Sequence, residues 1–231
     1  MSHFIELDGQ EIPVALRWNA QARRLILRLN PKNDGIIVTL PKGISAKEGL
    51  EMAKRNKVWI ANQFSRQPEA PKFQHGAEVM LRGVAHKLIH RPEARGTVWC
   101  ENQQIFVAGK AEFFQRRLSD WFKKQAREDI HSCAHDLASQ LGKGINRISV
   151  RDTVSRWGSC SSNGNLSFNW RLIMAPPDIF RYVIAHEVAH LKHMDHSPAF
   201  WQTVDRLGVD AQNARLWLKR HGNLLQKAGR S

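Results

Sequence analysis

Apolar and polar positions alternate, with frequent turns, between residues 4 and 40. The runs VALRWNA (14–20), RRLILRL (23–29) and GIIVTLP (35–41) are rich in β-branched and aliphatic residues and are broken by Asn, Pro and Gly, which predicts strands. At 45–48 the pattern changes to SAKE, where Ser45 can cap a helix and Glu48 can reach back to it. That helix is expected to run to Phe64, with Leu50, Ala53, Ile60 and Phe64 facing inward. The segment SRQPEAPKF (65–73) holds two prolines and reads as a linker.

Beyond it, GAEVMLRGVAHKLIH and TVWCENQQIFVAG each predict a hairpin. From 111 to 141, Phe114, Leu118, Trp121, Phe122, Ile130, Cys133, Leu137 and Leu141 recur every three or four residues, the signature of a long amphipathic helix. The stretch GKG (142–144) ends it. Strands are expected at 146–151, 154–161 and 165–171, with Asn163-Gly164 as a two-residue turn in which both central residues take positive φ. APPDIF then opens another helix, with Pro177 in its first turn. No internal repeat or low-complexity tract is visible.

That last helix carries H-E-x-x-H as His186, Glu187 and His190. Residues four apart on a helix lie on one face, ~6 Å apart along the axis. Two imidazoles so placed can share a zinc ion, and Glu187 stands where it can take a proton from a water that the metal activates. Ile179, Phe180, Val183, Ile184, Val188 and Leu191 give the helix an apolar face to bury, which an exposed histidine-rich helix would not need.

No glutamate follows Glu187, so a third ligand from a later glutamate is excluded. His193, Asp195, His196, Asp205, Asp210 and His221 remain. His193 is expected further along the same helix, out of reach. Ser197-Pro198 looks like an N-cap and first helical residue, so His196 falls in a tight turn between two helices and can fold back onto the metal. Five residues separate His190 from His196, the metzincin ligand spacing, but His193 stands where that class has glycine, so the turn must be made differently. The reading is one zinc ion per chain on His186, His190 and His196.

Other residues are weighed against the same site. Tyr182, the only tyrosine, lies one turn before His186, where it can meet an oxyanion or serve as a core ring. Asp205 can accept a hydrogen bond from a ligand histidine. Cys160 reads as a buried small hydrophobe. Arg116, Arg117, Lys123, Lys124 and Arg127 read as a solvated helix face.

The stretch RWGSCSSNGNLSFNWRLIMAPPDIFRYVIAHEVAHLKHMDHSPAFW resembles the YgjP-like bacterial zinc metallopeptidases, and VWIANQF upstream extends the likeness over nearly the whole chain. More distantly the chain is similar to SprT/Spartan-type zinc proteases. The resemblance implies a zincin catalytic domain with His186, His190 and His196 as ligands, Glu187 as base, and Arg156 and Trp157 lining the cleft.

The expected architecture is α+β. A β-rich N-terminal region with one helix (1–109) precedes a helix-rich, zincin-like catalytic domain with a small antiparallel sheet (110–231). Composition adjusts this picture at three points. The net charge of +14 favours polyanions, so nucleic acid joins peptide or protein substrates as an expected partner. Three distant cysteines, odd in number, argue for a reducing, cytoplasmic setting. The absence of a long apolar run or a signal-peptide pattern argues against a membrane partner. The expected activity is peptide-bond hydrolysis by a zinc-activated water. The rivals are a zinc-dependent phosphohydrolase acting on nucleotides and a nucleic-acid-associated module with structural zinc.

Overall fold

The computed structural model describes residues 3–7, 9–30, 35–65, 71–154 and 156–230. The chain divides into two compact units, Met1–Glu69 and Ala70–Ser231. The division falls in the expected linker, of which residues 66–70 lie outside the described residues.

In the first unit, β1 (His3–Leu7), β2 (Gln10–Trp18), β3 (Ile26–Leu29) and β4 (Ile36–Leu40) form a sheet in the order β1-β2-β4-β3. The outer pairs are antiparallel and the central β2–β4 pair is parallel. The capping box forms as expected: Ser45 Oγ accepts the Glu48 N–H at 3.3 Å and the Glu48 carboxylate accepts the Ser45 N–H at 2.9 Å. The expected single helix is two, α1 (Ala46–Arg55) and α2 (Lys57–Ser65). Asn56 separates them, leaving helical geometry at φ −102°, ψ 22° and donating its side-chain amide to Met52 O at 2.8 Å. Ala53 and Ile60 are buried with Ile5, Val14, Ile36, Val38 and Leu40, and Leu50 and Phe64 pack at the edge of that core.

The second unit begins with β5 (Glu78–Leu81), β6 (Val84–Arg91), β7 (Val98–Glu101) and β8 (Gln104–Ala108), ordered β5-β6-β8-β7 with β6 and β8 parallel. Its strand order and directions repeat those of the first sheet, although no repeat is visible in the residues. Both hairpins close as expected. Arg82-Gly83 (φ 51° and 78°) and Asn102-Gln103 (φ 48° and 55°) take the positive angles of tight two-residue turns.

The expected boundary at 109/110 falls inside this unit. Val79, Leu81, Leu88, Ile105 and Val107 share one core with Phe114, Leu118 and Phe122 of α3 (Phe114–Gln140), so the helix covers the sheet's apolar face. The helix stops as expected: Gly142 takes φ 62°, and the Gly142 and Lys143 N–H groups donate to Ser139 O and Ala138 O, a Schellman closure.

The small sheet that follows is mixed, where an antiparallel one was expected. β9 (Arg147–Arg151), β10 (Gly158–Cys160) and β11 (Asn165–Asn169) are ordered β10-β11-β9. β11 inserts between the other two, antiparallel to β10 and parallel to β9. The expected strand at 154–161 starts only at Gly158, because the loop before it is tied down by Asp152 and Thr153. The last strand ends at Asn169, whose side chain accepts the Arg171 N–H at 2.9 Å and caps a short 3-10 turn. At the hairpin only Gly164 takes positive φ; Asn163 does not, and the Ser161 N–H closes on Asn165 O, one residue further than a two-residue turn requires.

Three helices complete the unit: α4 (Pro177–Ala189), α5 (Pro198–Arg206) and α6 (Ala211–Lys227). The molecule is thus α+β, β-rich in its first half and helix-rich in its second. Among the described residues no helix is long and apolar enough to cross a membrane.

Candidate metal centre

α4 opens with Pro177 at its first position, as the sequence predicts, and buries Ile179, Val183, Ile184, Ala185 and Val188. This fixes which face turns away from the core, and His186 and His190 share that face with ring centroids 5.1 Å apart. His196 lies in the connection to α5, and its ring stands 5.1 Å from His186 and 4.8 Å from His190. One nitrogen of each ring comes within 4.8 Å of the others.

His186 Nε2 and His196 Nε2 are 3.2 Å apart. Two ligands of a tetrahedral zinc ion at 2.0–2.1 Å lie about 3.3 Å apart, so this edge has the dimensions of a zinc site. The same gap would suit one N–H···N bond between the rings, but convergence of a third imidazole favours a shared ion. Burial, then the charges of His190, His196 and Arg215, pull His186 down to about 4, and burial lowers His190 as well. Both rings are therefore neutral near pH 7, the form that binds metal.

The turn is made without the missing glycine. α4 ends at Ala189 with His190 as its C-cap, earlier than expected, so His193 lies past the helix and not along it. Tight backbone bonds (Leu191 N–H to Val188 O, Lys192 N–H to Ala189 O, His193 N–H to Ala189 O) close the end. His190 then donates Nδ1–H to His193 O at 2.9 Å. That bond holds the ring with Nε2 free of hydrogen, as a ligand requires. Ser197 caps α5 by accepting the Phe200 N–H, with Pro198 first in the helix, as the sequence predicts.

Glu187 is buried, and burial pushes its carboxyl up to about 7 against the pull of Arg156. It lies against Gly158 of β10. A Cβ at that glycine would stand 2.5 Å from Glu187 Cγ and 2.7 Å from Oε1. The glycine of RWGSC thus makes room for the glutamate of H-E-x-x-H.

The remaining expected residues distribute as follows. The Tyr182 ring is buried in the core, 6.0 Å from His186. Arg156 is exposed and close enough for its charge to act on Glu187. Trp157 packs against Gly222 of α6. Asp205 is exposed on α5 and, among the described residues, bonds to no histidine; His186 Nδ1 stays buried without a described partner. Cys160 is half-buried, and burial, then the charge of Glu187, push it up to about 11, far from a thiolate. On α3, Arg116, Lys124 and Arg127 are exposed, while Arg117 bonds Ala108 O and Lys123 pairs with Asp120 at 3.5 Å.

Four contributors escape a sequence reading: Gly158, the His193 carbonyl, Phe200 and Arg215. Phe200 is fully buried, with ring centroids 4.5–5.0 Å from all three imidazoles, and forms their apolar floor. Trp201 flanks His186 and His196, and the Arg215 guanidinium sits 5.5 Å above it. The placement of Phe200 and Trp201 in the first turn after the Ser-Pro cap is the one signal that could have found those two.

Three imidazoles converging on a common point, with the buried Glu187 beside them, have the layout of a metal-dependent hydrolase. The YgjP-like metallopeptidase domain matches residues 23–221, and the chain belongs to that family. No curated protein matches it. Among solved structures, the metallopeptidase zymogen of Pyrococcus abyssi abylysin aligns at 20% identity over 43% of this chain and 97% of that chain, with a TM-score of 0.37. The family match alone carries the assignment.

Proposed function

We propose that the protein is a zinc-dependent peptidase of zincin type, with one zinc ion held by His186, His190 and His196. The observation that carries this reading is the convergence of the three ring nitrogens within 4.8 Å beside a buried carboxylate. Zinc, when bound, supplies a Lewis acid that polarises a carbonyl and makes water acidic. Three protein ligands leave a position open for chemistry, whereas a structural site is closed by four.

Glu187 takes the proton of the attacking water on its carboxylate and passes it to the leaving amine. Burial against Gly158 strengthens it as a base, and a divalent cation beside it would moderate that effect. Phe200 excludes water beneath the imidazoles, the His193 carbonyl orients His190, and Tyr182 and Trp201 fix the His186 ring. The unpaired cysteines fit a reducing, cytoplasmic setting.

The exposed Arg156 near Glu187 also suits a phosphate substrate, which keeps nucleotide hydrolysis as a second reading. The test is turnover of unfolded proteins and of nucleotides by the purified chain, before and after chelation and zinc return. Chelator-sensitive, zinc-restored proteolysis is expected. Turnover of nucleotides alone would transfer the function to the second reading.

A further inference from the structure

The solvent face of the small sheet is not used by the chemistry above. Its core face carries Leu166 and Phe168, both buried, so the alternate positions point outward. Strand pairing sets Ser149, Ser167 and Ser159 in one row across β9, β11 and β10, since Ser167 pairs with both of the others. Arg147 and Arg151 flank Ser149 on the same face of β9, both exposed. Arg156 completes the border beside β10. Together these residues line a cavity of about 470 Å³ whose lining includes no acidic residue. None of the three arginines makes an ion pair among the described residues.

We propose that this face binds an acidic, extended segment of the polypeptide substrate; the proposal rests on the peptidase reading, which makes a polypeptide the expected ligand. Arginine forks and serine hydroxyls are donors suited to carboxylates. Arg147 and Arg151 are four residues apart on a strand, about 13 Å, the same repeat as carboxylates four apart on an extended peptide. The lining holds no aromatic ring on which a nucleic-acid base could stack. β10 stands between this face and the site: Gly158, paired with core-facing Phe168, touches Glu187, its neighbour Ser159 points to the arginine-lined side, and Arg156 acts on Glu187 by its charge.

Binding is measured without turnover, by fluorescence anisotropy of labelled octaglutamate, octalysine and an oligothymidylate of equal negative charge against the full chain. Failure here would leave metal-dependent hydrolysis standing, and an inactive enzyme would leave this result standing. Octaglutamate should bind more tightly than the oligonucleotide, and octalysine not at all. The double variant Arg147→Ser/Arg151→Ser should weaken octaglutamate by about tenfold or more, the scale of about 1.4 kcal/mol. Removing the same charge from α3 with Arg116→Ser/Arg127→Ser should leave it unchanged. Arg147→Glu/Arg151→Glu should transfer binding to octalysine. Tighter binding of the oligonucleotide, equal losses in both serine variants, or no octaglutamate binding would each overturn the proposal.

Discussion

At the scale of single residues, His193 and His196 separate cleanly although only two positions lie between them. His193 contributes its backbone carbonyl, which holds His190 by Nδ1, while His196 contributes its ring. His196→Ala should therefore weaken zinc binding strongly, and His193→Ala, which keeps the carbonyl, should leave it nearly intact. Zinc titration of the two variants checks this; the reverse order would mean that the turn is read wrongly. Gly158 makes a different demand. Its backbone needs no positive φ, so space alone forbids a side chain. Gly158→Ala should displace Glu187 and lower the rate of hydrolysis while zinc content stays at the wild-type level. Overpacking of this kind costs about 1–3 kcal/mol, which thermal unfolding of the variant would register.

At the scale of elements, the loop between β9 and β10 decides where Gly158 and Arg156 sit. Arg171 is buried and donates to Ala228 O at 2.7 Å and to Asp152 at 2.6 Å, with its guanidinium 4.2 Å over Trp170. Arg230 also pairs with Asp152, and Asn169 holds Thr153 O at 2.7 Å. Burial pushes Asp152 up, but the Arg171 hydrogen bond and charge, Trp170 and Arg230 outweigh it and leave the carboxyl below its ordinary 3.8. A carboxyl lowered on folding adds stability above the unfolded value, and that stability is lost as pH falls through the folded one. Asp152→Asn should thus cost about 1–2 kcal/mol at neutral pH, allowing for solvent screening of the half-exposed carboxylate. The difference from wild type should shrink towards about pH 3, as denaturant unfolding would show. A difference independent of pH would mean that the ion pair contributes nothing. This clamp has no local signature, because Asp152, Arg171 and Arg230 are far apart in sequence. By contrast the capping box, the long α3 and the two hairpins are local, and periodicity and turn chemistry foretell them. The extent of α1 failed at Asn56, where a side-chain cap overrides apolar spacing.

For the whole molecule, the order of difficulty follows sequence separation. H-E-x-x-H is legible because helix geometry alone sets two rings on one face, and His196 because Ser197-Pro198 announces the next helix. The boundary expected at 109/110 lies about forty residues beyond the division at 69/70, since an apolar strand face does not declare which element will cover it, and α3 covers β5–β8. The insertion of β11 between β9 and β10 was missed for the same reason, and with it the contact of Gly158 with Glu187. The contact of Gly158 with Glu187 is proposed to hold a general base beside a zinc ion. Glu187→Gln keeps the size and polarity of the side chain and removes its basic oxygen. Measured on one preparation, zinc content should remain at one ion per chain while hydrolysis of a protein substrate falls by about 10²-fold or more. Zinc lost with the carboxylate would make Glu187 a ligand, and hydrolysis at the wild-type rate with zinc retained would contradict its role as base.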